Sequence, residues 1–66
     1  MNTKRLIELR KSKDLTQEEV ANELECTQEM ISAIENGKKK GSISLIHKMA
    51  KLYNVPIEEL INENEG

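Results

Sequence analysis

Two helix starts eleven residues apart leave the middle of this chain little freedom. Thr-Gln-Glu occurs at Thr16, Gln17 and Glu18, and again at Thr27, Gln28 and Glu29. Nothing else around the two copies repeats, so a duplicated segment does not explain them. Thr is a favoured helix N-cap, because its hydroxyl accepts a hydrogen bond from a first-turn N–H that has no partner within the helix. At Thr16 the signal is doubled. Glu19 stands three residues on and completes a capping box, in which each residue satisfies a backbone N–H of the other. At Thr27 the equivalent residue is Met30, so a cap without a box is expected. Eleven residues hold about two helical turns and a tight connection. The two starts therefore require two short helices in close succession.

The flanking sequence continues the helical pattern. Thr3 is the expected cap of a first helix with Leu6 and Leu9 on its inner stripe, ending near Ser12. Asp14 can take the left-handed conformation that ends a helix. Val20, Ala21 and Leu24 share one face of the second helix, Glu25 and Cys26 make the turn, and Ile31 and Ile34 point inward from the third. Asn36-Gly37 is a helix stop, followed by a basic loop of Lys38, Lys39, Lys40 and Gly41. Ser42 is expected to cap a fourth helix with Ile43, Ile46, Met49 and Ala50 as its buried stripe. Asn54 suits a left-handed end. Pro56 suits the first turn of a short fifth helix containing Ile57, Leu60 and Ile61. The fold class is thus all-α, a compact bundle of five helices. A single domain spans residues 1–66, with its core at about 3–61 and a frayed tail at 62–66.

Composition narrows the class further. Sixty-six residues with one Tyr, no Trp and no Phe make a small aliphatic core, near the lower size at which chains fold without staples. No apolar stretch approaches the roughly 18–20 residues of a membrane span and nothing resembles a signal peptide, so no membrane contact and a cytoplasmic location are expected. Cys26 is alone and reads as a small core residue rather than a redox sensor. His47 is the single His, so no metal site is expected, and no cofactor or small-molecule ligand is evident. No nucleophile, base and orienting group assemble into a catalytic set, so the chain is not expected to be an enzyme. The net charge of −2 conceals a sorted distribution. Residues 1–13 hold five cations and Glu8, 14–35 hold seven acids and no Lys or Arg, 36–51 hold five lysines and no acid, and 52–66 return to four Glu. Blocks of this kind can become faces.

Leu9-Arg10, then Leu15-Thr16-Gln17-Glu18-Glu19-Val20-Ala21, then Ile31-Ser32 and Ile34-Glu35-Asn36-Gly37-Lys38 carry a resemblance. Together they are similar to the phage-repressor class, the Xre/Cro-like helix-turn-helix regulators, from about Leu6 to Ile61. The resemblance implies a lambda-repressor-like fold whose second and third helices form the helix-turn-helix. It also implies roles for residues at matching positions. Gln28, Glu29, Ser32 and Ala33 would read base edges in the major groove. Glutamine can pair with adenine through two hydrogen bonds, glutamate can accept from cytosine, and an alanine methyl can touch thymine. Gln17 would bind a backbone phosphate at the start of the second helix, and Thr27, Asn36, Lys38 and Lys40 would add phosphate contacts. Arg10 and Glu35 would form an ion pair joining the first and third helices. The family often has Gly where this chain has Asp14, Glu25 and Asn54, and Glu25 fits left-handed geometry poorly, at about 1 kcal/mol. Gly41 replaces a common Pro and is expected to loosen the lysine loop.

The expected function is sequence-specific binding of double-stranded DNA by a small stand-alone regulator, a repressor acting as a homodimer on an inverted repeat. Leu52, Tyr53, Leu60 and Ile61 exceed the apparent needs of the core and are candidates for the dimer contact. The alternative is a protein-interaction or antitoxin-like module with weak DNA affinity. Acidic composition and a reading face without Lys or Arg favour it, whereas the lysine loop, Gln17 and Gln28 favour DNA.

Overall fold

A computed structural model of the chain describes residues 1–62. Among these residues the order is α1 (Thr3–Ser12), α2 (Gln17–Leu24), α3 (Gln28–Glu35), α4 (Ile43–Tyr53) and α5 (Ile57–Ile61), with no strand. None of these helices is long and apolar enough to cross a membrane. The expected fraying of the tail falls, Asn62 apart, outside the described residues.

Local chemistry sets each boundary. The Thr16 hydroxyl accepts from Glu19 N at 3.1 Å while Thr16 N donates to the Glu19 carboxylate at 2.8 Å, completing the capping box. Thr27 caps α3 through Met30 N alone, and Ser42 caps α4 through Leu45 N. At the start of α1 the sequence reading is one residue late. Asn2, not Thr3, is the cap, and its side chain accepts from Arg5 N. Asn and Thr are both good caps and stand side by side, so local chemistry alone does not choose between them. Pro56 likewise precedes α5 instead of lying in its first turn; its φ of −63° suits either place.

Three non-glycine residues adopt left-handed backbone: Asp14 (φ 58°), Glu25 (φ 60°) and Asn54 (φ 58°). Each lies at or just beyond the end of a helix, where the reversed twist turns the chain into the next element. Gly41 has a geometric purpose of its own. Its φ is 76°, which calls for glycine, and an added Cβ would come 3.1 Å from Ile34 Cδ1, which would have to give by a few tenths of an ångström.

The core draws on every helix: Leu6 and Leu9 of α1, Val20, Ala21 and Leu24 of α2, Ile31 and Ile34 of α3, Ile46, Met49, Ala50 and Tyr53 of α4, and Leu60 of α5. Ile31 and Ile34 are fully enclosed, and α3 lies between α1 and α2. Two apolar expectations need correction. Ile43 is 65% exposed; Leu45, two positions on in the same turn, packs against the core instead. Tyr53 and Leu60 are buried within the domain, so of the four candidate dimer residues Ile61, at 43% exposed, and half-buried Leu52 retain accessible surface. Cys26 packs against the core, and burial pushes its thiol pKa up while the Lys48 charge opposes the shift. That environment disfavours the reactive thiolate.

Candidate nucleic-acid interface

The turn between α2 and α3 is built from backbone. Glu25 caps α2 in the left-handed region, Glu25 N donates to Asn22 O, and Cys26 N reaches back to Ala21 O at 2.9 Å. Thr27 then resumes extended geometry and starts α3. Because Ile31, Ile34 and Glu35 face inward, the remaining helical positions divide cleanly. Gln28 and Glu29 are exposed, and Ser32 and Ala33, one turn on, are half-buried. The four side chains form one outward strip along the first two turns of α3.

Gln17 joins this strip from the neighbouring helix. With Gln28, Glu29 and Ser32 it lines an open cleft of about 220 Å³ between the starts of α2 and α3. Ala33 is not part of that lining. Both helix starts present first-turn N–H groups on this side of the domain, which favours anions.

The other end of α3 is equally defined. Gly37 takes φ 80°, and the Lys38 and Lys39 N–H groups both donate to Ala33 O, at 2.9 and 3.2 Å. The lysine loop is thereby folded against the helix end. The side chains of Asn36, Lys38, Lys39 and Lys40 are exposed. Asn36 Nδ2 lies 3.5 Å from Ser32 Oγ, at the long limit of a hydrogen bond.

Behind the strip stands a buried charged group. Glu35 is 4% exposed and faces Arg10 through two hydrogen bonds, Nε to Oε2 at 2.8 Å and Nη2 to Oε1 at 3.2 Å. Arg10 Nη1 also donates to Leu15 O at 2.9 Å. A fork-to-fork pair with a further donor engaged by a backbone carbonyl is the arrangement in which burying opposite charges is tolerable. Gln17 Nε2 completes it, donating to Glu35 Oε1 at 3.1 Å. The sequence reading missed this contact. Gln17 and Glu35 are eighteen residues apart, on different helices, and no local pattern links them. Nearby, Tyr53 is enclosed, and its hydroxyl has no hydrogen-bond partner among the described residues. Burial, then the Glu35 carboxylate, push its pKa up to about 12, while Arg10 acts in the opposite direction.

Comparison with known proteins agrees with this architecture. The helix-turn-helix family profile matches residues 6–60. The chain is 37% identical over 65 residues to the cryptic phage CTXphi transcriptional repressor RstR of Vibrio cholerae, covering 98% of this chain and 59% of that protein. The chain thus spans less than two thirds of the repressor's length. It is 43% identical over 47 residues to an HTH-type transcriptional regulator of Methanocaldococcus jannaschii, covering 71% of each. Another HTH-type transcriptional regulator, from Archaeoglobus fulgidus, is 38% identical over 56 residues, which is 85% of this chain and 80% of that protein. No solved structure matches. With the fold, the capped turn and these relatives in agreement, the chain belongs to the Xre-type helix-turn-helix family of transcriptional regulators.

Proposed function

We propose that this domain represses transcription by binding a specific DNA sequence as a homodimer, with α3 in the major groove. The observation that carries the reading is the outward strip of Gln28, Glu29, Ser32 and Ala33, which shares one side of the domain with Gln17. Gln28 stands at the start of the helix, where it can pair with adenine N6 and N7, and Glu29 accepts from cytosine N4. Gln17 and Thr27 at the helix starts, with Asn36, Lys38 and Lys40 beyond the helix end, are the phosphate contacts that fix register. The described residues extend 30 × 22 × 19 Å. Two copies side by side are therefore commensurate with half-sites one duplex turn apart, about 34 Å.

A second reading keeps one observation in its favour. The outward strip of α3 carries a carboxylate and no cation, which lowers non-specific attraction to DNA and suits a protein partner. Selection of the purified protein on a randomised duplex library decides between the two. Enrichment of an inverted repeat is the expected result. No enrichment by folded protein would shift the reading to a partner-binding module.

A further inference from the structure

The Arg10–Glu35 pair has a third member that joining α1 to α3 does not require. Glu35 Oε1 accepts from Gln17 Nε2 at 3.1 Å as well as from Arg10 Nη2 at 3.2 Å. Gln17 is the first residue of α2, half-buried, and reaches both the enclosed carboxylate and the open cleft beside Gln28. A glutamine amide has two N–H donors and one oxygen. The carboxylate repels the amide oxygen, so it fixes which way round the amide lies. It also engages one N–H and leaves the other with a set direction. Within the same turn the capping box already occupies Thr16 N and Glu19 N. The first-turn donors at Gln17 and Glu18 have no carbonyl partner inside the helix and suit an anion.

We infer that Glu35 is a positioning residue for DNA binding. It holds the Gln17 amide in the orientation in which its second N–H and the first-turn N–H groups of α2 meet one phosphate. This inference rests on the proposed DNA-binding function. Arg10 holds Glu35 in place through two hydrogen bonds, so a contact between α1 and α3 prepares the phosphate site on α2. Ordering a rotamer-rich side chain before binding is worth about two- to tenfold in affinity.

The test is a double-mutant cycle on the duplex selected by the wild-type protein, at one fixed salt concentration. Gln17→Ala is measured in the wild-type background and in an Arg10→Met/Glu35→Leu background. The latter removes both buried charges together and so avoids leaving either one unpaired. The expected result is that the factor lost through Gln17→Ala shrinks about two- to tenfold once the carboxylate is gone. An equal factor in both backgrounds overturns the inference. A second measurement does not depend on the double variant folding. In the free wild-type protein, NMR relaxation of the Gln17 side-chain amide is expected to show an ordered group, unlike the exposed amide of Gln28. Equal mobility of the two amides would overturn the positioning role. Failure of the wild-type protein to select any sequence is a different outcome. It removes the DNA-binding reading itself, and this inference with it.

Discussion

Tyr53 offers a test of the core that one variant and one optical signal can deliver. Its side chain is enclosed, the residue is 3% exposed, and its hydroxyl has no hydrogen-bond partner among the described residues. Leaving a buried hydroxyl unpaired costs about 1–3 kcal/mol, whereas the ring gains from burial regardless of the hydroxyl. Tyr53→Phe is therefore expected to be neutral or stabilising at neutral pH, by up to about 1 kcal/mol once the small void left by the oxygen is included. For a domain of this size that is a rise in Tm of roughly 4–8 °C. Alkaline pH adds a second, signed expectation. The phenol pKa is pushed from 10.0 to about 12 in the fold, by burial first and the Glu35 carboxylate second. Below pH 10 the phenol is neutral in both folded and unfolded chains, and the stability of the fold is intact. As pH rises from 10 towards 12 the unfolded chain releases its proton and the folded chain does not. Stability is then lost at about 1.4 kcal/mol per pH unit, about 3 kcal/mol across the window. Tyr53→Phe lacks this loss, so its advantage over wild type is expected to widen through that range.

The chain has one Tyr and no Trp, so tyrosinate absorbance reports Tyr53 alone. Titration in buffer and in concentrated urea, paired with urea melts of both proteins at neutral and alkaline pH, supplies every quantity needed. Two results would refute the reasoning. One is a Phe variant less stable than wild type by more than about 1 kcal/mol at neutral pH, because the hydroxyl would then have a partner. The other is a stability gap that stays constant above pH 10.

Gln28→Ala is expected to relax selectivity at one base position and cost about 1–3 kcal/mol of operator affinity, whereas Lys38→Ala weakens all sequences alike and reduces the salt slope by about one unit. If the two variants behave alike in competition binding, base reading and phosphate contact are not divided as proposed. Glu25→Gly is expected to raise stability in urea melts by about 0.5–1 kcal/mol, since it relieves left-handed strain at φ 60° and removes a carboxylate from the C-terminal end of α2. A loss instead would mean that the Glu25 side chain contributes packing that outweighs its strain. Thr16→Ala is expected to cost about 1 kcal/mol, and more than Thr27→Ala, because only Thr16 takes part in a reciprocal box; equal costs in thermal melts would count against that ranking.

What is legible in the sequence follows from the range over which each interaction acts. Helix starts and stops depend on residues within three or four positions of one another. Thr16 with Glu19, Ser42, Gly37 and the left-handed Asp14 and Asn54 are therefore assignable from residue order alone, whereas left-handed Glu25 is suggested only by the Gly common at that position in the family it resembles. The misplaced cap at Thr3 and the shifted Pro56 are single-residue errors among neighbours of equal local merit. Periodicity locates the stripe of α4 correctly at Ile46, Met49 and Ala50. It does not say where the core ends, and Ile43 continues the spacing into solvent. Long-range pairs have no local signature of any kind. The tie between Arg5 and Glu59 spans fifty-four residues, and that between Gln17 and Glu35 spans eighteen. The consequence is sharpest at the site. Its place at a helix start and the family resemblance propose Gln17 as a phosphate contact, while the fold gives the same amide a buried anionic partner. Those two demands are compatible because a glutamine amide has two donors, which a serine or lysine could not divide between a carboxylate and a phosphate with fixed geometry. The chemistry of Gln17 is thus set jointly by its place in a local motif and by a residue on another helix.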